Sequence, residues 1–257
     1  MTHQKRVGGN LERALNDNHT FNPIEVLKEG VRLTKHSLTS LLGAVVVSLA
    51  IFTVVLMVLI QVFIGPVELD NPQVTLAMLV AQIIVMPPLF AGIHLMGILH
   101  SVGQRTQVQD VFRFIKQPFP FILVALITQI ISQLAAGALP GVIAILALLF
   151  ISVTLSMAIP LVAEYKLSPW QAIRCSFIAI MRRFLPFVTI YAALFGLFVL
   201  GILTFGIGLI FVVPLFYNVK GILYRDIFGV AVEGEGTAAF AADSTDHESG
   251  NKDTWSA

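Results

Sequence analysis

The sequence has 257 residues, of which 56% are hydrophobic and 12% are charged, and its mean hydropathy is +0.86. Soluble domains carry roughly 25% charged residues, so this composition excludes a water-soluble monomer. The net charge of +1 gives no electrostatic reason to expect a nucleic-acid partner. The single cysteine, Cys175, excludes an intrachain disulfide and a multi-cysteine metal site.

Six stretches of the chain are long and apolar enough to cross a bilayer, whose core needs about 20 apolar residues per helix. They run approximately Leu41 to Ile64, Val74 to Leu99, Pro118 to Gly137, Gly141 to Ala163, Phe184 to Leu203 and Gly206 to Tyr224. Pro87 and Pro88 predict a kink in the second stretch, because proline removes a backbone donor. The predicted fold class is therefore all-α, a polytopic membrane protein with six transmembrane helices.

The charges indicate how these helices are oriented. The first 21 residues are polar and no cleavage pattern follows the first hydrophobic stretch, so that stretch is expected to remain as an anchor. All 16 Lys and Arg residues fall on one side of the predicted topology, whereas the segment after the first stretch carries only Glu68 and Asp70. The positive-inside rule then places both termini in the cytoplasm, with three tight hairpins facing out.

A short amphipathic segment precedes each odd-numbered stretch, at about residues 22–40, 106–117 and 168–183. Each segment begins with a helix-start signal: Asn22 with Glu25, Thr106 with Gln109, and Ser168 with Gln171. We expect the segments to lie in the cytoplasmic headgroup layer, giving three repeats of interfacial amphipathic helix plus transmembrane hairpin. The alternative is that such entry segments are common to hairpin proteins in general.

The basic residues of these segments are predicted to contact anionic lipid headgroups. They are Lys28, Arg32, Lys35, Arg113, Lys116, Arg174, Arg182 and Arg183.

Polar segments flank the membrane domain, which we assign to residues 22–228. Residues 1–21 are predicted to form a polar cytoplasmic N-terminus. Residues 229–257 hold six acidic residues against one lysine and many small residues, which predicts a disordered acidic cytoplasmic tail. A contact peptide for a partner is the alternative interpretation of this tail.

Ionisable and amide side chains within the six stretches are candidates for function, because they are costly in a membrane. No stretch carries a carboxylate, which disfavours a coupled proton or sodium transporter. A polar cleft is predicted from Gln82, His94, Gln129, Gln133 and Asn218, with hydrogen bonds between helices as the alternative role.

Three basic side chains, those of two histidines and one lysine, lie towards the ends of these stretches. His94 and His100 are six residues apart, so they fall on different helical faces, and neither a metal site nor a cofactor is predicted. Lys220 lies near enough to the end of the sixth stretch to reach water.

A charged cluster at the end of the sixth stretch contains Tyr224, Arg225 and Asp226. Sequence neighbours do not face each other on a helix, so we expect Arg225 and Asp226 to pair with Glu164, Lys166 or Arg182. This predicts a cytoplasmic latch of Glu164, Tyr224, Arg225 and Asp226, with ligand binding as the alternative.

The sequence has no nucleophile elbow, phosphate-binding glycine loop or zinc-binding histidine pair, so it is predicted not to be an enzyme. Gly206 and Gly208 are expected to allow close helix approach. Cys175 is interpreted as an ordinary small residue at the membrane interface, with palmitoylation or redox sensing as the alternatives.

The C-terminal quarter carries a family resemblance. The residues concerned are Pro169, Trp170, Ala172, Ser176, Phe177, Leu185, Pro186, Phe187, Tyr191, Gly206, Gly208, Pro214, Tyr217 and Tyr224 to Phe228. With them the chain resembles uncharacterised six-span inner-membrane proteins of Gram-negative bacteria, which are distantly similar to the membrane domain of some glycerophosphodiester phosphodiesterases. The resemblance implies a bacterial inner-membrane location and a non-enzymatic module. The catalytic phosphodiesterase domain has no counterpart in this sequence.

Two functional hypotheses follow. The first is a non-catalytic inner-membrane protein that binds anionic lipid or a membrane partner, including a second copy of itself, through basic interfacial helices. The second is a small-molecule or lipid carrier with a polar cleft between kinked helices.

Overall fold

The computed structural model describes residues 5–16, 21–63 and 72–232. The described chain is helical apart from two short strands, β1 (Lys5–Val7) and β2 (Val230–Val232). Its α-helices are α1 (Leu11–Asn16), α2 (Pro23–Phe63), α3 (Pro72–Ile84), α4 (Met86–Ser101), α5 (Phe119–Ala138), α6 (Gly141–Thr154), α7 (Ala158–Tyr165), α8 (Pro169–Met181), α9 (Phe184–Leu203) and α10 (Leu209–Phe228). A 3₁₀ helix, Val108–Phe114, lies between α4 and α5.

Helix α2 is continuous over 41 residues. It begins where the sequence indicates, because the Asn22 side chain accepts a hydrogen bond from the N–H of Ile24 at 3.1 Å and Pro23 is the first helical residue. The predicted division into an interfacial helix at 22–40 and a span at 41–64 is wrong, because no proline interrupts the backbone hydrogen bonds between them. The helix is about 61 Å long, so about half of it extends beyond a bilayer core of about 30 Å.

Two of the apolar helices are interrupted. The helix break at Val85 separates α3 from α4 directly before Pro87 and Pro88, as the missing proline donors predict. A second break separates α6 from α7 at residues 155–157, upstream of Pro160. There the Ser176 hydroxyl donates to the carbonyl of Thr154 at 2.8 Å and accepts from the N–H of Met157 at 3.2 Å. Helix α8 thus satisfies backbone groups that the break leaves free.

Five helical segments among the described residues are long and apolar enough to cross a membrane. They are Pro23–Val62, Gln73–Ser101, Phe119–Ala138, Gly141–Tyr165 and Phe184–Leu203. Helix α10 is not among them; it carries Lys220, Arg225 and Asp226. The sixth crossing at 206–224 therefore stays a prediction.

The three segments expected to be equivalent entry helices differ in structure. The second is a seven-residue 3₁₀ helix, in which the N–H of Gln107 donates to the Asp110 carboxylate at 2.8 Å, so its start is not the Thr106 and Gln109 pair that the sequence indicates. The third, α8, begins with the expected mutual hydrogen bonds between Ser168 and Gln171. The threefold repeat stays a prediction.

The two ends of the described chain meet in a small antiparallel sheet, in which Lys5 pairs with Val232 and Val7 with Val230. Residues 229–232 are therefore ordered, contrary to the prediction of a disordered tail from 229 onward. They are ordered because Val230 and Val232 are buried and the N–H of Ala231 donates to Glu164 at 3.0 Å. The rest of the predicted tail lies outside the described residues.

Helix α10 lies at the centre of the core and packs against α2 and α4. The backbones of α4 and α10 come into direct contact at Gly97 and Gly221, where a Cβ on Gly221 would lie 2.1 Å from the Gly97 carbonyl oxygen. This close crossing brings the polar side chains of the two helices together.

We expect Gly221→Ala to lower the free energy of unfolding by about 3 kcal/mol, because the backbone of α4 has no room for the methyl group. Gly196→Ala in α9 is the matched control, since a Cβ there meets nothing within 4 Å, and it should be neutral or stabilising by up to about 1 kcal/mol. The measurement is unfolding in a denaturing-detergent titration followed by circular dichroism. Equal effects of the two substitutions would contradict the close crossing.

Candidate functional site

A group of buried polar side chains, which we call the polar core, lies where α2, α4 and α10 meet. Its members are Thr34, Ser37, His94, His100, Asn218 and Lys220, all of them buried. Asn218 joins the three helices: its Nδ2 donates to the hydroxyls of Thr34 and Ser37, each at 3.0 Å, and its Oδ1 lies 3.1 Å from Nδ1 of His100. Every polar side-chain atom of Asn218 therefore has a partner.

His94 and Lys220 form a separate pair within the polar core. The Lys220 Nζ lies 3.3 Å from Nε2 of His94 and 5.4 Å from the centre of the Phe216 ring. Lys220 is only 6% exposed, so the expectation that it reaches water is wrong. The packing of α4 against α10 covers it. The Nδ1 atom of His94 has no hydrogen-bond partner among the described residues.

The structure brings together only two of the five residues predicted to line a polar cleft. His94 and Asn218 belong to the polar core, whereas Gln82 and Gln133 are exposed on α3 and α5 and Gln129 is half-buried on α5. Hydrogen bonds between the helices, the alternative role for these side chains, are formed by Asn218.

Glu164 joins α7 to the small sheet and to α10. Its carboxylate accepts from the Tyr224 hydroxyl and from the N–H of Ala231, both at 3.0 Å, and lies 3.7 Å from the Arg6 guanidinium. These contacts link both ends of the described chain to the core.

Arg225 holds α10 to α2 and α4. Its guanidinium donates to both carboxylate oxygens of Glu29, at 2.6 and 3.0 Å, and to the carbonyl of Ser101 at 2.7 Å. It also pairs with Asp226 at 2.8 Å, so the expectation that these sequence neighbours do not pair is wrong. The Arg225 side chain is long and flexible enough to bend toward the carboxylate of the next residue.

These contacts keep the Arg225 guanidinium protonated. Burial lowers the pKa of Arg225, but the hydrogen bond to Glu29 and the charge of Asp226 outweigh it and raise the pKa overall. Glu29 was not found by sequence reasoning. It lies 196 residues from Arg225, and only its position on the polar face of the first amphipathic segment could have indicated it.

Seven of the eight predicted lipid-contact residues are exposed and form what we call the basic rim. They are Lys28, Arg32, Lys35, Arg113, Lys116, Arg174 and Arg182. The eighth, Arg183, is only 4% exposed and donates to the carbonyls of Ala14 at 3.0 Å and Ala179 at 3.2 Å. Its assignment as a lipid contact is wrong, because α1, which the sequence analysis did not predict, lies against it.

Two cavities are found near these cations. One of about 440 Å³ is lined by Arg13, Arg183, Asp226 and Phe21 at the end of the molecule that holds β1 and α1. The other, of about 370 Å³, is an apolar groove between α5, α6 and α8, with Arg174 as the charged residue of its lining.

Among the described residues, no group of three or more His, Cys, Asp and Glu side chains is arranged to hold a metal ion. His94 and His100 bind different partners, Lys220 and Asn218.

Comparison of the chain with models of protein families, with curated proteins and with solved structures gives no match. The resemblance to six-span inner-membrane proteins stays a prediction from the quoted residues, and the function has to be argued from the site itself.

We expect Asn218→Ala to lower the free energy of unfolding by about 2 to 4 kcal/mol, because it leaves Thr34, Ser37 and His100 buried without this partner. The control is Gln133→Ala, which removes an exposed amide from α5 and should change the free energy by less than about 0.5 kcal/mol. Thermal unfolding in detergent measures both. A loss at Gln133 as large as that at Asn218 would count against the polar core as a source of stability.

Cys175 is expected to react slowly with maleimide at neutral pH. Burial raises the pKa of its thiol, although the neighbouring Arg174 lowers it in part, so less of the reactive thiolate is present. The labelling rate should be lower than that of an exposed cysteine placed at Lys166 in a Cys175→Ser background, and should still rise at pH values where the control rate has levelled off. Equal labelling rates for Cys175 and the control across the pH range would contradict a raised pKa of the Cys175 thiol.

Proposed function

We propose that this chain is a non-catalytic integral protein of a bacterial inner membrane, with both termini in the cytoplasm, and that it binds anionic lipid along its basic rim. The proposal depends mainly on one observation: exposed cations lie beside exposed apolar side chains on α8 and in the segment before α5.

Helix α8 carries the clearest example of this pattern. Trp170 is 60% exposed and Phe177 is 42% exposed, and Arg174 and Arg182 are exposed on the same helix. Aromatic rings favour the boundary between headgroups and acyl chains, and arginine favours the phosphates next to that boundary.

The segment before α5 has the same character. Phe112 and Ile115 are exposed next to Arg113 and Lys116, and α5 begins three residues after Lys116, at Phe119. These cations would therefore lie close to the bilayer surface, where each contributes about 1 kcal/mol of attraction to anionic lipid.

The cations of α2 are in a different position. Because α2 is continuous, Lys28 lies about 20 Å and Arg32 about 13 Å along the helix axis from Leu41, where the uninterrupted apolar stretch begins. Both distances exceed the screening length of about 8 Å in physiological salt. Lys35, at about 9 Å, is the nearest of the three to the lipid. We therefore assign lipid binding to the rim on α8 and before α5, and a weaker part to α2.

The carrier hypothesis has less support. The amides proposed to line a cleft are divided between Asn218, whose polar atoms are all engaged, and Gln82 and Gln133, which are exposed on other helices. A membrane protein or a second copy of the chain would meet the same exposed apolar faces.

The double substitution of Arg113 and Lys116 by Gln should reduce retention of phosphatidylglycerol, relative to phosphatidylcholine of the same chains, by about fivefold to thirtyfold. The double substitution of Lys28 and Arg32 by Gln removes the same charge farther from the membrane and should leave retention within about twofold of wild type. Native mass spectrometry of the detergent-purified protein counts the retained lipids. If wild type shows no preference for phosphatidylglycerol, or if the two double variants lose retention equally, the proposed function is contradicted.

A further inference from the structure

Of the two cavities described above, the apolar groove between α5, α6 and α8 is the one suited to hydrocarbon. Its volume of about 370 Å³ lies within the usual range of ligand pockets. Ile131 on α5, Phe150 and Ile151 on α6, and Ile173 and Phe177 on α8 form its walls. Burying a chain of methylene groups against such walls is favourable by the hydrophobic effect.

The walls offer almost no partner for a polar ligand. The one hydroxyl of the lining, that of Thr154, donates to the carbonyl of Phe150 at 2.8 Å within its own helix. Arg174 is the one charged residue of the lining. An occupant that satisfies both features has a long apolar part and an anionic end.

The groove is open, and the helix surface beside it is apolar. Leu146 and Leu149 on α6 are more than half exposed, and Phe150 and Phe177, at the edge of the groove, are 37% and 42% exposed. In the proposed orientation this surface faces the acyl chains, so a lipid tail can enter sideways from the bilayer without crossing water.

Arg174 is placed to hold the headgroup of such a lipid. It is exposed on α8 and forms no ion pair with any of the described residues, unlike Arg225 and Arg6. A planar guanidinium can donate two parallel hydrogen bonds to a phosphate, and its positive charge favours a headgroup of net negative charge over a zwitterionic one.

We propose that the groove holds one acyl chain of an anionic phospholipid whose phosphate is bound by Arg174. This inference rests on the proposed function and adds to it a defined site, with a tail contact as well as a headgroup contact. The bound lipid would also fill the space beside the α6–α7 break, next to the contact that Ser176 makes with Thr154 and Met157.

The test separates the tail contact from the headgroup contact. Ile131→Trp adds a large ring to the groove wall, and its control is Ile130→Trp, because Ile130 is the next residue of α5, is 51% exposed and does not line the groove. Arg174→Gln removes the headgroup contact on the surface of α8, and Arg174→Lys keeps the charge without the planar fork. Each variant is checked by thermal unfolding, and native mass spectrometry follows the release of long-chain phosphatidylglycerol as competing detergent is added.

For wild type we expect one phosphatidylglycerol molecule that survives detergent competition longer than the others. Ile131→Trp should remove this molecule, Ile130→Trp should retain it, and Arg174→Gln should weaken its binding about fivefold more than Arg174→Lys does. Equal retention of dihexanoyl and long-chain phosphatidylglycerol would mean that the site contacts only the headgroup. That result would overturn the inference.

The inference and the proposed function can fail separately. If wild type retains phosphatidylglycerol in preference to phosphatidylcholine while Ile131→Trp and Arg174→Gln both behave as wild type, the basic rim binds lipid without this groove. If wild type shows no headgroup preference at all, the proposed function fails and the groove proposal fails with it. Retention of detergent or of a second copy of the chain in place of the lipid would likewise overturn the groove proposal.

Discussion

A buried polar group costs free energy unless it has a hydrogen-bond partner, and the helices of this chain are organised by that constraint. Where α6 and α7 separate, Ser176 bonds to both Thr154 and Met157, so the break does not leave those two groups unsatisfied. Where α10 carries an amide, Asn218 is bonded from both sides by α2 and α4. The close backbone contact of Gly97 with Gly221 brings α4 near enough to α10 for the bond between His100 and Asn218.

The same constraint divides the cations into two groups with different roles. Lys220 and Arg183 are buried and Arg225 is partly buried; they bind His94, backbone carbonyls and Glu29 respectively, so they hold helices together. The cations of the basic rim remain exposed and are available to phosphates outside the protein. Burial rather than sequence position decides which role an arginine takes. The neighbours Arg182 and Arg183 show this, because Arg182 is exposed whereas Arg183 is only 4% exposed.

Sequence patterns predict the local features of this fold well. Hydropathy places a helix at 184–203 where α9 runs Phe184–Leu203, and the Ser168 and Gln171 signal locates the start of α8. The features that sequence patterns miss depend on contacts between residues that are far apart along the chain. The pairing of Glu29 with Arg225, the cover that α1 gives to Arg183, and the strand at 230–232 all require tertiary packing. The continuity of α2 was missed because a change from polar to apolar residues does not itself end a helix.

The lipid-binding role of the basic rim requires every exposed cation to lie on one side of the bilayer. Single cysteines in a Cys175→Ser background, probed in intact cells with a membrane-impermeant maleimide, test this directly. A cysteine at Leu139, in the turn between α5 and α6, should react in intact cells, whereas cysteines at Lys116 and Lys166 should react only after the membrane is opened. If the cysteine at Lys116 or at Lys166 is labelled in intact cells while the cysteine at Leu139 is not, the orientation and the lipid-binding role of the basic rim are contradicted.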